Sequence, residues 1–413
     1  MIMLENMLKA AKEAIYELMS MRSDIKDRAL SAVAAKLDKN RELIKAENAK
    51  DIEYANECGL SKAMIDRLIL DDKRIDSMIQ AVNEIKAQTD PVGKVVEGYR
   101  RPNGLYITKV KVPLGVVGII FESRPNVTID AAALCLKSGN VSVLRGGKEA
   151  INSNICLGKL MKEALKETGL PEAAVNIIED TDRAVVMEML KAKDYIDIMV
   201  PRGGDSLIKF CTEHSLIPLV KHDAGICHVF IDEFADMDMA VKIAVNAKCQ
   251  RVGVCNTMET LLIHDAVAAK ILPMLEKAYA EYSVELRGCE KTQKIITCKP
   301  ATEEDWSTEY LDFILSIKIV NSVDDAIAHI NKYSSQHSDS IVTENYSNSE
   351  KFLDRVDSAA VYVNASTRWT DGGEFGLGAE IGISTQKLHC RGPMGADDLT
   401  TTKYRIYGSG QIR

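Results

Sequence analysis

Cys255 sits near the end of the run Gln250-Arg251-Val252-Gly253-Val254-Cys255-Asn256, and an apolar, strand-like run follows at 257–263. A thiol on a Gly-containing turn, beside Arg251 and backbone N–H groups, is where a thiolate can be stabilised and presented to an electrophile. The chain holds ten cysteines. Most cysteines are small buried hydrophobes, so spacing alone leaves Cys255 open between a packing role and a nucleophilic one.

Arginines give the second signal. Arg124-Pro125, Arg145-Gly146-Gly147-Lys148 and Arg202-Gly203-Gly204 recur at the ends of expected strands, joined by Arg251 and Arg368. Glycine turns let backbone N–H groups approach phosphate oxygens, and arginine supplies a planar fork for phosphate or carboxylate. Any one of them reads as a solvated turn residue. Their recurrence at equivalent places favours an anionic ligand. No G-x-G-x-x-G run is present, so the usual dinucleotide loop is not expected.

The elements that position these residues follow from periodicity. Residues 1 to about 90 read as helical, with Ile75, Met78, Ile79, Val82 and Ile85 forming one stripe behind the cap Asp71-Asp72. At 106–112 the period changes to alternation after the turn Arg101-Pro102-Asn103-Gly104, which predicts a hairpin. Short β-branched runs at 116–121, 141–144, 175–178 and 196–200 alternate with helical patterns such as 128–138 and 152–167. The alternation resumes after Gly225, with runs at 228–231, 257–263, 313–320, 340–342 and 361–364. Strands apolar on both faces, separated by helices, predict two successive doubly wound parallel α/β domains.

Composition excludes several classes. The chain has 413 residues, 46% hydrophobic and 27% charged, which is long enough for two sizeable cores. The apolar run at 112–121 is interrupted by Pro113, Gly115 and Gly118, far short of the roughly 18 or more residues of a membrane span. The first helix is amphipathic rather than a signal peptide, and the cysteines show no C-x-x-C pair, so a reducing cytoplasm is expected. The seven histidines form no H-x-x-x-H pair or His/Cys cluster, so no metal is expected. A net charge of -8 argues against nucleic acid as the main partner.

The order Phe121-Glu122-Ser123-Arg124-Pro125-Asn126, Val143-Leu144-Arg145-Gly146-Gly147-Lys148, Pro201-Arg202-Gly203-Gly204 and then the Cys255 run resembles the aldehyde dehydrogenase superfamily. So do Leu219-Val220-Lys221-His222, the run from Gly225 to Asp232, Thr308-Glu309-Tyr310-Leu311-Asp312 and the run from Glu374 to Thr385, with His389, Arg391, Gly392 and Pro393. The resemblance covers essentially the whole chain. It is strongest to the branch that reduces L-glutamyl 5-phosphate with NADPH, giving L-glutamate 5-semialdehyde and phosphate in the second step of proline biosynthesis from glutamate.

The resemblance implies roles residue by residue. Cys255 matches the nucleophile that forms a thioester, and Ser123 falls where relatives place an oxyanion-stabilising residue. Arg145, Gly146, Gly147 and Lys148 match the adenosine-ribose contact. A cation at Lys148, where NAD-preferring relatives carry an acid, suits a 2′-phosphate and therefore NADPH/NADP. Arg202, Gly203 and Gly204 match the nicotinamide and pyrophosphate segment, and Glu309 the nicotinamide-ribose ligand. Arg124, Arg251, Asn364, Ser366 and Arg368 are the candidates for gripping substrate carboxylate and phosphate. Hydrolytic relatives carry a catalytic Glu where His222-Asp223-Ala224-Gly225 stands here; a phosphate-dependent enzyme needs no such base. The competing readings are a hydrolytic or CoA-acylating aldehyde dehydrogenase, and a silent nucleotide-binding partner of the kinase that makes the acyl phosphate.

The expected division is 1–225 with part of 365–395 as the NADP-binding domain and 226–364 as the catalytic domain. The segments 98–112 and 396–413 form a β arm. Tyr404, Ile406 and Ile412, with Ile107, Val110 and Val112, supply strand-like apolar positions at two distant places, and the resemblance implies that these segments pair. The resemblance implies that such an arm packs on a neighbouring subunit, so a homo-oligomer, a dimer or higher, is expected. Contact with glutamate 5-kinase is a further possible partnership.

Overall fold

The computed structural model describes residues 2–221 and 224–413. The chain forms two compact units: Met1–Lys221 with Gly376–Gly382 and Pro393–Arg413, and His222–Phe375 with Ile383–Gly392.

The first unit opens with five helices, α1 (Ile2–Leu18), α2 (Ser23–Lys39), α3 (Arg41–Glu57), α4 (Lys62–Leu68) and α5 (Asp72–Ala87). In α5 the stripe Ile75, Met78, Val82 and Ile85 is buried, and the Asp71 carboxylate caps the helix by accepting the Arg74 N–H at 2.8 Å. Two strands follow, β1 (Val95–Arg100) and β2 (Tyr106–Pro113), paired antiparallel through the turn at Arg101 to Gly104. The C-terminal strand Thr400–Tyr407 pairs antiparallel with β2 along its whole length, from Thr400 opposite Pro113 to Tyr407 opposite Tyr106. These strands make a three-stranded sheet whose outer members are almost entirely exposed.

The parallel sheet of this unit contains β3 (Val116–Phe121), β4 (Val141–Arg145), β5 (Val175–Ile177) and β6 (Ile198–Arg202), in the order β5-β4-β3-β6. Every residue of β3 is buried, as expected of a strand covered on both faces. Helices α6 (Asn126–Lys137), α7 (Ile151–Thr168), α8 (Arg183–Lys191) and α9 (Asp205–His214) follow β3, β4, β5 and β6 in turn.

The second unit is built on a parallel sheet of β7 (Cys227–Ile231), β8 (Met258–His264), β9 (Glu285–Gly288), β10 (Lys299–Pro300), β11 (Ile314–Val320), β12 (Ser338–Val342) and β13 (Ala360–Val363). Their order is β10-β9-β11-β8-β7-β12-β13. Helices α10 (Met237–Cys249) and α11 (Asp265–Ala280) cover one face through Ile243, Ala244, Ala247, Ile271, Leu272 and Leu275. Val323, Ile327, Ile330 and Phe352 fill the core around Phe230, Leu262 and Ile341. Cys255 lies in the connection between α10 and the central strand β8. Among the described residues no helix is long and apolar enough to cross a membrane, and no cluster of His, Cys, Asp and Glu could hold a metal ion.

Candidate active site

In the second unit the Cys255 loop is tied at several points. The Thr257 N–H donates to the Val254 carbonyl at 3.1 Å, and the Thr257 hydroxyl to the Arg251 carbonyl at 2.7 Å. The Thr367 hydroxyl donates to the Asn256 carbonyl at 2.7 Å, and Asn256 Nδ2 donates to the Thr370 carbonyl at 2.9 Å. Beneath the loop runs the segment before β7. A carbon added to Gly225 would fall on the Cys255 backbone, so the close approach needs glycine. The Cys227 thiol donates to the Cys255 carbonyl at 3.3 Å, and burial raises its pKa well above the ordinary thiol value.

Exposure separates the ten thiols. Cys58 is exposed, and Cys255, Cys289 and Cys298 are half-buried; the other six are buried. Burial raises Cys211 and Cys249 to about 11. Cys289 is the exception. Burial works against its thiolate, but the Ile319 N–H and the groups around Thr292 outweigh it and bring its pKa down.

Arg251 and Arg368 are the cations beside this loop. Burial lowers the Arg368 guanidinium, and the positive charge of Arg251 lowers it further, while the Cys255 thiol acts the other way. Two close cations, one of them half-desolvated, favour an anion between them. Arg368 Nε donates to Gln250 Oε1 at 2.8 Å, which orients the fork. Ser366 and Asn364 serve the loop itself. The Ser366 hydroxyl accepts the Arg368 N–H at 3.3 Å. The Asn364 amide accepts from Thr343 N at 2.9 Å and donates to Thr343 O at 2.8 Å, holding a backbone with φ +56°. Glu309 lies half-buried in the segment before β11. His222 and Asp223, the expected counterpart of the hydrolytic base, lie outside the described residues.

In the first unit the expected cofactor residues gather at the carboxyl ends of β3, β4 and β6. Arg145 donates to the Thr181 carbonyl at 2.8 Å, while its buried Nε has no partner. Lys148 is exposed, its ammonium 5.9 Å from the centre of the Tyr54 ring. The carboxylate of Glu149 folds back over Gly147 and accepts both the Ser123 N–H at 2.7 Å and the Ser123 hydroxyl at 2.8 Å. The Ser123 hydroxyl hydrogen is therefore engaged, and Ser123 itself adopts φ +46°. Glu122 accepts the Gly204 N–H at 3.0 Å at the start of α9, and a side chain at Gly203 would strike it. Arg202 donates to the Glu380 carbonyl at 2.9 Å, so its fork is partly occupied.

Two features of these residues suit an anion. The N–H at the head of α9 already holds a carboxylate, and Arg145 keeps an unmatched buried donor. Sequence reasoning gave no role to Glu122, Glu149, Tyr54 and Cys227, nor to the buried pair Lys248 and Glu259. The only signal for that pair was a charge in an otherwise apolar helix end and another in a strand start.

The sequence model of the aldehyde dehydrogenase family matches residues 3–297. The γ-glutamyl phosphate reductase of Nautilia profundicola is 56% identical over 410 residues, covering 99% of this chain and 100% of the relative. That of Carboxydothermus hydrogenoformans is 55% identical over 409 residues, 99% of each. The crystal structure of the Thermotoga maritima γ-glutamyl phosphate reductase superposes with a TM-score of 0.97 at 49% identity over 99% of each chain. An acetylating aldehyde dehydrogenase from Geobacillus thermoglucosidasius, 18% identical with a TM-score of 0.72 over 100% of this chain and 97% of its own, shares the fold. The chain belongs to the aldehyde dehydrogenase family, among the relatives called γ-glutamyl phosphate reductases.

Proposed function

We propose that this chain reduces L-glutamyl 5-phosphate to L-glutamate 5-semialdehyde and phosphate, with NADPH as its cofactor. The observation that carries the reading is the half-buried Cys255 on a glycine-backed turn beside Arg251 and Arg368, in a chain matched end to end by relatives of that name.

The Cys255 thiolate attacks the acyl carbon; a C–S bond forms, the bond to the phosphate oxygen breaks, and phosphate leaves. Arg251 and Arg368 hold the substrate's anionic groups, while Asn364 and Ser366 keep the Arg368 loop in shape. The Cys255 N–H stabilises the oxyanion. The Ser123 hydroxyl is free for an oxyanion only when it leaves Glu149. Arg145 and Lys148 hold the adenosine ribose and its 2′-phosphate, Gly203 and Gly204 the pyrophosphate once Glu122 releases the Gly204 N–H, and Glu309 the nicotinamide ribose. Arg202 reaches the cofactor with the part of its fork that Glu380 leaves open. When bound, the cofactor supplies the hydride that reduces the acyl group.

The exposed apolar positions of the β arm, with Tyr404 at 58% and Ile406 at 60% exposure, support a homo-oligomer. The reading places the protein in the cytoplasm, in reach of glutamate 5-kinase as a source of the acyl phosphate. NADP⁺ reduction with glutamate 5-semialdehyde tests the reaction, because it should require inorganic phosphate. Turnover supported by water or coenzyme A in place of phosphate would overturn the reading.

A further inference from the structure

Lys248 and Glu259 stand at the two ends of the loop that carries Cys255, one in the last turn of α10 and the other in the second position of β8. Both side chains are fully buried, with Lys248 Nζ 2.5 Å from Glu259 Oε2. The second Glu259 oxygen accepts the Leu311 N–H at 3.3 Å. Leu311 follows Glu309 and Tyr310 and has φ +53°, a left-handed conformation that a non-glycine residue keeps only when its surroundings impose it. The Tyr310 ring lies 5.8 Å from the Lys248 ammonium and 5.1 Å from the Arg287 guanidinium. Its hydroxyl donates to Asp305 Oδ1 at 2.6 Å and lies 2.7 Å from Ser316 Oγ.

Stability alone does not explain the pair. A buried ion pair loses the hydration of both ions, and apolar residues of similar volume often stabilise as well or better. Burial raises the Glu259 carboxyl to about 7 and lowers the Lys248 ammonium, the signature of that penalty. What the pair does geometrically is specific. One carboxylate closes the Cys255 loop with its first oxygen and holds the turn after Glu309 with its second.

We infer that Lys248 and Glu259 are positioning residues that fix the Cys255 loop in register with the Glu309 turn. The inference rests on Cys255 as the nucleophile and Glu309 as the nicotinamide-ribose contact. An apolar core residue has no second acceptor for the Leu311 N–H and cannot perform both ties.

The test uses the full chain with the double variant Lys248→Met/Glu259→Leu and the single variant Glu259→Gln. Four readouts are taken: melting temperature, NADP⁺ dissociation constant by direct binding, Cys255 alkylation rate with iodoacetamide, and kcat. For the double variant the expected result is a melting temperature near the parent's and a several-fold weaker NADP⁺ complex. Cys255 alkylation should change several-fold and kcat should fall about 10- to 100-fold, the scale of small misplacements of reacting groups. Glu259→Gln keeps volume and an acceptor for Leu311, so it should lose kcat and alter alkylation while holding NADP⁺ better than the double variant. Parental kcat, alkylation and NADP⁺ binding in a folded double variant would overturn the inference. Were the double variant unfolded, the same parental values in Glu259→Gln would overturn it. Cys255→Ser and Glu309→Gln run alongside. If both stay fully active, the site reading fails and the inference with it; if both are impaired and the pair variants are parental, the inference alone fails.

Discussion

A carbon added to Gly225 would lie 2.1 Å from the carbonyl oxygen of Cys255 and 2.4 Å from its Cα. The obstacle is backbone, which has no rotamer to move away. Gly225→Ala should therefore shift the nucleophile loop, lowering kcat about 100-fold. Overpacking of this kind should also remove about 1–3 kcal/mol of stability. Steady-state kinetics and thermal melting check both. A parental kcat would show that the loop tolerates displacement.

Lys148→Glu places a carboxylate where the 2′-phosphate is proposed to bind, beside Tyr54. NADPH affinity should fall at least ten-fold more than NADH affinity, a difference of about 1.4 kcal/mol. Binding titrations with both cofactors decide it. Equal losses would mean that this turn does not read the 2′ position.

Asp130 gives the first unit a defined pH response. The residue as a whole is half-buried, but its carboxyl is enclosed by neighbours, and this burial lifts its pKa from 3.8 to about 6 against the opposing Asn126 hydrogen bond and Arg202 charge. The folded state thus holds a proton that the unfolded chain has already released, so this group's contribution to stability declines as pH rises from about 4 to 6. Asp130→Asn removes the effect. Its stability relative to the parent should increase across that window and level off above it. Denaturant unfolding at several pH values measures this, and a constant difference would contradict it.

The arm yields a prediction about assembly. Among the described residues the strand Thr400–Tyr407 pairs with β2 alone, and most of its side chains are exposed. Deleting residues 399–413 should weaken the proposed homo-oligomer and lower the melting temperature. Sedimentation of the intact chain as a monomer at micromolar concentration would count against the oligomer.

What could be read from sequence depended on how locally each feature is caused. The strands at 116–121 and 141–145 were legible because burial on both faces demands continuous apolar runs, whereas their ends shift by a residue or so. The hairpin of β1 and β2 was legible from its turn, but where β1 begins was not, because all of its residues are exposed and only pairing with β2 makes it a strand. β9, a short run containing Glu285, Arg287 and Gly288, carries no periodic signal; its position beside β11 defines it. The placement of Cys255 on a turn between helix and strand was legible. The pressure of Gly225 on that turn was not, since it arises from packing between segments distant in sequence. Glu149 and Glu122 occupy backbone donors at the strand ends, a tie that only the folded arrangement creates.

The most direct test of the account is the acyl-enzyme. With glutamate 5-semialdehyde and NADP⁺ but no phosphate, the chain should release a burst of NADPH stoichiometric with subunits and then stop. Peptide mass spectrometry should find the glutamyl group on Cys255, and added phosphate should restart turnover. Cys289, a half-buried thiol whose pKa is brought down, is the control: Cys289→Ser should keep the burst and Cys255→Ser should abolish it. A glutamyl group on another cysteine, or a full burst from Cys255→Ser, would contradict the account.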